Sequence, residues 1–258
     1  MDQIGAVAGP LIFAAIFMLI GKHQIGITEY QKGYAFLWLP FALVMLCLVI
    51  AYRRVPRPDA LEVATEKIKT SDNLSRLFWL YALFTFVTTL GFCSFILLAF
   101  HFKSVNILSD AQIPLYYAIA MGVDGVAALS IGKLYDVAKT RSNNHNAGLN
   151  LLIAIPLITL LMPLFAFSKN HIFVIIGVLC WGVVMGIHET IMRSAIADIT
   201  PLSKRGTGYG IFNTTYGLAF FLGSVLLGFL YDRSISFVIT AIISIECFAL
   251  AIFFFMKI

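Results

Sequence analysis

Asp124, His188, Glu189 and Arg193 are ionisable residues set in otherwise apolar sequence. Asp124 stands 11 residues into the run 113–135, roughly 16 Å along a helix that rises 1.5 Å per residue. A carboxyl at that depth could exchange a proton, bind a cationic solute, pair with a basic side chain, or act only as a hydrogen-bonded orienting group. Glu189 and Arg193 are four apart, so a regular helix puts them on one face with the acid before the base, the favoured order for an ion pair. His188 beside Glu189 could join a proton relay or could pack as a hydrogen-bonded imidazole. Tyr209, Asn213 and Tyr216 recur at i, i+4 and i+7, on one side of a helix. They could line a cavity and hydrogen-bond a polar solute, or pack beside Gly210, Gly217 and Gly223 where helices approach closely. Thr88, with Thr85 and Thr89, is a weaker candidate of the same kind. Glu246 lies in the middle of the last apolar run.

Other chemistries lack their residues. HETIM at 188–192 has Met192 where a zinc-binding HExxH helix needs its second His. GTGYG at 206–210 follows no strand and is not a nucleotide loop. Cys47, Cys93, Cys180 and Cys247 lie inside apolar runs with no CxxC spacing, so neither a metal site nor a disulfide framework is expected. No cofactor and no enzymatic activity are expected.

Apolar helices that cross a bilayer must position these residues. The chain has 258 residues, 60% hydrophobic and 12% charged, with a mean hydropathy of +0.92. Soluble domains carry about 25% charged residues. Eight runs are long enough to span, at 4–20, 34–52, 77–101, 113–135, 149–167, 172–197, 208–231 and 235–256. The fold class is therefore an all-α polytopic membrane protein with about eight transmembrane helices, its partner the lipid bilayer. The connection 53–76 carries two prolines and mixed charges and reads as a linker. Of the 18 Lys and Arg residues, 13 fall on the side of that linker and 5 on the other, which places both termini in the cytoplasm. The net charge of +5 has no basic, aromatic-interleaved stripe, so nucleic acid is not a partner. Asp2 and the sequence GKH after the first run do not read as a signal peptide.

GKLYD at 132–136 ends the fourth run and GFLYD at 228–232 ends the seventh. Three crossings separate them, so equivalent copies point opposite ways. An inverted repeat of three-helix units is a construction of secondary transporters; each Tyr-Asp read alone would be an interfacial anchor.

Gly132–Asp136 followed by Arg141 resembles the Gly-x-Leu-x-Asp loop signature of the major facilitator superfamily. Gly5, Gly9 and Pro10 in GAVAGP resemble the Gly-x-x-x-Gly-Pro signature of its fifth helix. The charged linker is similar to the connection between its two halves, and RGTGYGIFN at 205–213 to the start of its eleventh helix. The resemblance implies that 1–52 supplies the last two helices of the N-terminal half, 53–76 the cytoplasmic linker, and 77–258 a C-terminal six-helix bundle. The family's first four helices have no counterpart in these 258 residues. It also implies that Asp136 belongs to a cytoplasmic latch between the halves, and that the helix bearing Glu246 is peripheral, with no substrate role. The function implied is secondary transport of a small-molecule substrate by alternating access, coupled to an ion gradient, protons in particular, across the inner or plasma membrane. The alternative is a non-transporting fragment, or a half-transporter whose partner chain supplies the missing helices.

Overall fold

The computed structural model describes residues 2–20, 27–54, 73–141 and 147–256; most of the expected linker, 55–72, lies outside the described residues. Every regular element among the described residues is helical: α1 (Asp2–Ile20), α2 (Ile27–Phe36), α3 (Trp38–Arg54), α4 (Arg76–Gly91), α5 (Phe95–Ser104), α6 (Gln112–Arg141), α7 (Ala154–Ala166), α8 (His171–Ile187), α9 (Arg193–Ile199), α10 (Arg205–Tyr231) and α11 (Ile235–Phe255). A 3₁₀ turn, Ala147–Ile153, leads into α7, and a π turn, His188–Met192, joins α8 to α9. Among the described residues, seven helical stretches are long and apolar enough to cross a membrane, with α2–α3, α4–α5 and the α8–α9 stretch each counting once. The first of the eight expected spans, 4–20, falls within the 19 residues of α1, whose stretch Ile4–Leu19 is apolar.

Helix ends follow local chemistry. Ser75 caps α4 by accepting a hydrogen bond from Phe78 N–H at 3.1 Å, and Asn170 caps α8 by accepting from Ile172 N–H at 2.9 Å. α3 is apolar all round and buries no side chain; lipid tails suit such a surface as well as a protein core would. α1 is one-sided, with Ala14 and Phe17 buried, and it packs on α6.

The six-helix bundle follows a swapped pattern that matches the repeat. One unit is α4–α5, α6, α7; the other is α8–α9, α10, α11. The second helix of each unit packs on the first of the other, α6 on α8 and α10 on α4. The third helices do likewise, α7 on α8 and α11 on α4, and they also meet each other. Small residues make these approaches close. Gly182 of α8 lies against the Ala120 carbonyl of α6, Gly186 against the Asp124 carbonyl, and Gly223 of α10 against the Leu90 carbonyl of α4. GVVMG at 182–186 is a small-xxx-small pair of the kind that brings membrane helices together.

Gly182→Ala drives a methyl group into the Ala120 carbonyl and should cost about 1–3 kcal/mol as an overpacked contact. Gly217→Ala, whose added carbon would meet nothing within 4 Å, should be neutral or mildly stabilising. The midpoint of detergent-induced unfolding, followed by circular dichroism in mixed micelles, separates the two.

Candidate functional site

The first helix of each repeat unit is interrupted near its middle. In α4–α5 the break falls at Phe92, Cys93 and Ser94; Phe92 N–H turns back to Thr89 O at 3.2 Å, and helical bonding resumes with Leu98 N–H to Ser94 O at 3.4 Å. In α8–α9 the break is the π turn. Backbone carbonyls at helix irregularities in an apolar interior are stabilised by donors, and each of these helices supplies one to the other. Trp181 of α8 donates its indole N–H to Cys93 O at 2.9 Å. Tyr81 of α4 donates its hydroxyl to Met192 O at 2.6 Å. Both bonds are buried. The Phe92 ring, carried by the first break, stacks on Trp181 with centroids 5.5 Å apart and meets His188 at 4.9 Å.

A cavity of about 800 Å³ opens between α1–α2 and the bundle, within the range usual for small-molecule sites. Its walls are mainly aromatic: Phe13 and Phe17 from α1, Tyr30 and Tyr34 from α2, Phe95 and Phe100 from α5, Tyr117 from α6, Trp181 from α8 and Phe220 from α10. The rings brace one another, Phe17 against Tyr30 at 5.1 Å, Phe13 against Tyr34 at 5.3 Å and Phe95 against Tyr117 at 4.7 Å. Charge enters the wall through Lys103 and Asp110, paired at 2.7 Å. Gly9 and Pro10 line the cavity, and Gly5 does not. The i, i+4 ring pairs Phe13/Phe17 and Tyr30/Tyr34 were the sequence signal for this wall.

The expected polar residues gather beside the cavity. Asp124 is fully buried on α6, where α8 passes at Gly186. His188 is buried and hydrogen-bonds Tyr216 Oη through Nδ1 at 3.2 Å. Tyr117, itself in the cavity wall, stands two turns before Asp124 on the same side of α6. Glu189 is half-buried and Arg193 exposed. The π turn His188–Met192 carries Glu189 and ends just before Arg193, and its wider winding still leaves positions four apart on one side of the helix. Of the three expected on α10, Tyr216 is half-buried at His188, Tyr209 donates to Arg193 O at 3.2 Å, and Asn213 is exposed; Phe220, one turn beyond Tyr216, reaches the cavity instead. Thr88 also turns elsewhere, donating to Glu246 Oε2 of α11 at 2.8 Å.

The two Tyr-Asp motifs close opposite ends of the bundle in matching ways. Tyr135, buried at the end of α6, donates to Asp198 Oδ2 at 2.6 Å at the end of α9, and Lys139 holds Asp198 Oδ1 at 2.7 Å. Tyr231, at the end of α10, hydrogen-bonds His101 Nδ1 and Ser104 Oγ, each at 2.9 Å, at the end of α5. In both copies the tyrosine ties the second helix of one unit to the first of the other. In the latch motif, Gly132 packs near Thr190, while Asp136 and Arg141 are exposed.

The sequence profile described as Major Facilitator Superfamily matches residues 1–224 and, in a second stretch, 149–257. The chain belongs to the Major Facilitator Superfamily. It is 35% identical over 259 aligned residues to an uncharacterized protein of Mycobacterium bovis and to uncharacterized proteins of two Mycobacterium tuberculosis strains. The match covers 98% of this chain and 60% of each relative, so the chain spans about three-fifths of the length of these relatives. No solved structure matches. As a facilitator chain it is a multi-pass membrane protein of a transporter family.

Each crossed cap is open to test. Trp181→Phe and Tyr81→Phe both remove a donor from a buried carbonyl, at a cost of about 1–3 kcal/mol. Amide exchange read by mass spectrometry should accelerate in the other helix: around 93–98 for Trp181→Phe and around 192–197 for Tyr81→Phe.

Proposed function

We propose that this facilitator chain takes part in secondary transport of an apolar, ring-bearing small molecule by alternating access, with proton coupling through the Asp124 cluster. The aromatic cavity between α1–α2 and the six-helix bundle carries the reading. Ring walls favour flat or apolar solutes through dispersion and edge-to-face contacts. Asp124 shares a side of α6 with Tyr117 of the wall. His188, followed by Glu189, meets Phe92, which stacks on Trp181 of the wall. A change of charge in this cluster would therefore be felt by a bound solute and by both helix breaks. Residues 1–52 act as part of the N-terminal half and 77–258 as the C-terminal bundle, rocking against each other across the α1–α6 contact. The excess of Lys and Arg on the linker side supports a cell-membrane orientation with both termini cytoplasmic. The motif Gly132, Asp136 and Arg141 then faces the cytoplasm as part of a latch to the other half.

The alternative, a chain that completes its cavity only with helices from a partner, draws on α3, whose side chains are exposed along its full length. Proteoliposomes distinguish the two. With Trp38→Phe and Trp79→Phe, Trp181 is the remaining indole, and ethidium bound in the cavity should quench it. Ethidium accumulation driven by an imposed pH gradient is expected if the chain transports unaided. Quenching without accumulation supports the partner-dependent alternative, and neither signal removes the aromatic-solute reading. Asp124→Asn should lower pH-driven accumulation at least tenfold and leave Trp181 quenching in place; full retention of pH-driven uptake would remove Asp124 as the coupling group.

A further inference from the structure

Glu246 is fully buried, 11 residues into α11 and so about 16 Å from its start, near mid-membrane. It points at α4 just before that helix stops. Thr88 Oγ1 donates to Oε2 at 2.8 Å. Oε1 faces the Gly91 backbone, where an added methyl carbon would stand 2.5 Å away, and it has no hydrogen-bond partner among the described residues. The hydroxyls of Thr85 and Thr89, one turn apart on the same face of α4, are equally buried and equally without a partner there.

Among the described residues, the surroundings supply no positive charge. α11 packs on α4, α7 and α10. α7 has no ionisable residue. The ionisable residues of α4 are Arg76, at its far end, and Tyr81, which is bonded to Met192 O. On α10, Arg205 is bonded to Ala197 O, and Tyr209, Tyr216 and Tyr231 are held by Arg193 O, His188 and His101. Cys93, in the break itself, bonds Ser94 O. Glu246 also sits beside the C-terminal end of α4, the negative pole of the helix dipole, which repels a carboxylate. An unpaired carboxylate in hydrocarbon is costly enough that the group neutralises instead. The close packing of Oε1 against Gly91 leaves room for a hydrogen more readily than for a hydrated metal ion.

We propose that Glu246, with Thr88, forms a buried proton-binding site against the α4–α5 break. The carboxylate gains one proton on Oε1 and loses its charge; release of that proton restores a negative charge at the end of α4 and favours separation of α11 from the break. This site is distinct from Asp124, which lies on the α6–α8 contact. As a coupling element it rests on the transport reading above; as a proton site it does not.

Infrared spectroscopy of the purified chain in lipid tests it without any solute. At about pH 7, well above the ~4.3 of an ordinary glutamate, the spectrum should contain a protonated-carboxyl C=O band that shifts in D₂O. Glu246→Gln, a neutral isostere, should fold with unchanged thermal stability and lose that band, and Asp124→Asn should keep it. Thr88→Val, which removes the donor on Oε2, should move the band to higher frequency. An unchanged spectrum in Glu246→Gln overturns the proposal, as does a band present in choline chloride and abolished by sodium chloride, which would put sodium at the site. If Glu246→Gln does not fold, the Thr88→Val shift decides. The band with no transport in proteoliposomes would leave the proton site standing and count against the transport reading alone.

Discussion

A backbone carbonyl at an irregularity in a membrane helix has no water to turn to, and two such carbonyls organise the bundle. Regular α-helical bonding is interrupted at Phe92–Ser94 and gives way to a π turn at His188–Met192. Each is capped by an aromatic donor from the other broken helix, Trp181 onto Cys93 and Tyr81 onto Met192. The arrangement requires α4 and α8 to lie within side-chain reach of each other's interruption. That in turn fixes which neighbours each may have, α10 and α11 on α4, α6 and α7 on α8. The glycines at 182, 186 and 223 let those neighbours approach, and the cavity forms where α1–α2 cover the outer face of the first break.

Polar and aromatic groups are sorted across this frame. The cavity wall is built from rings, and its charged residues Lys103 and Asp110 neutralise each other. Neither buried carboxyl lines the wall: Asp124 lies at the α6–α8 contact and Glu246 at the α4–α11 contact. Rings connect the two regions: Tyr117 is in the wall and shares a side of α6 with Asp124, and Phe92 bridges Trp181 to His188.

Much of this was legible in the sequence because hydropathy is local. The seven long spans follow from runs of apolar residues, and so does the apolar helix α1. The repeat was legible from GKLYD and GFLYD, and the structure gives those tyrosines equivalent tethers at opposite ends. Features that depend on what lies across a helix contact were not legible. The π turn at HETIM has no compositional marker and is absent from a reading of hydropathy alone. Thr88 was read as facing a cavity because its partner, Glu246, is 158 residues away in sequence. Glu246 itself was set aside on the expectation of a peripheral helix, yet the inner face of that helix is as dry as the core. Asn213 fell on the expected side of α10 by spacing, but that side turns away from the protein at its level.

The crossed caps also set how the bundle can deform. If α4–α5 bends further, Cys93 O swings away from Trp181, which is anchored in α8; if α8–α9 straightens, Met192 O leaves Tyr81, which is anchored in α4. Neither kink can change alone without stranding a carbonyl that belongs to its counterpart. Two bends that would otherwise fluctuate separately are thereby reduced to one soft coordinate, and motion at one face of the membrane is geared to motion at the other.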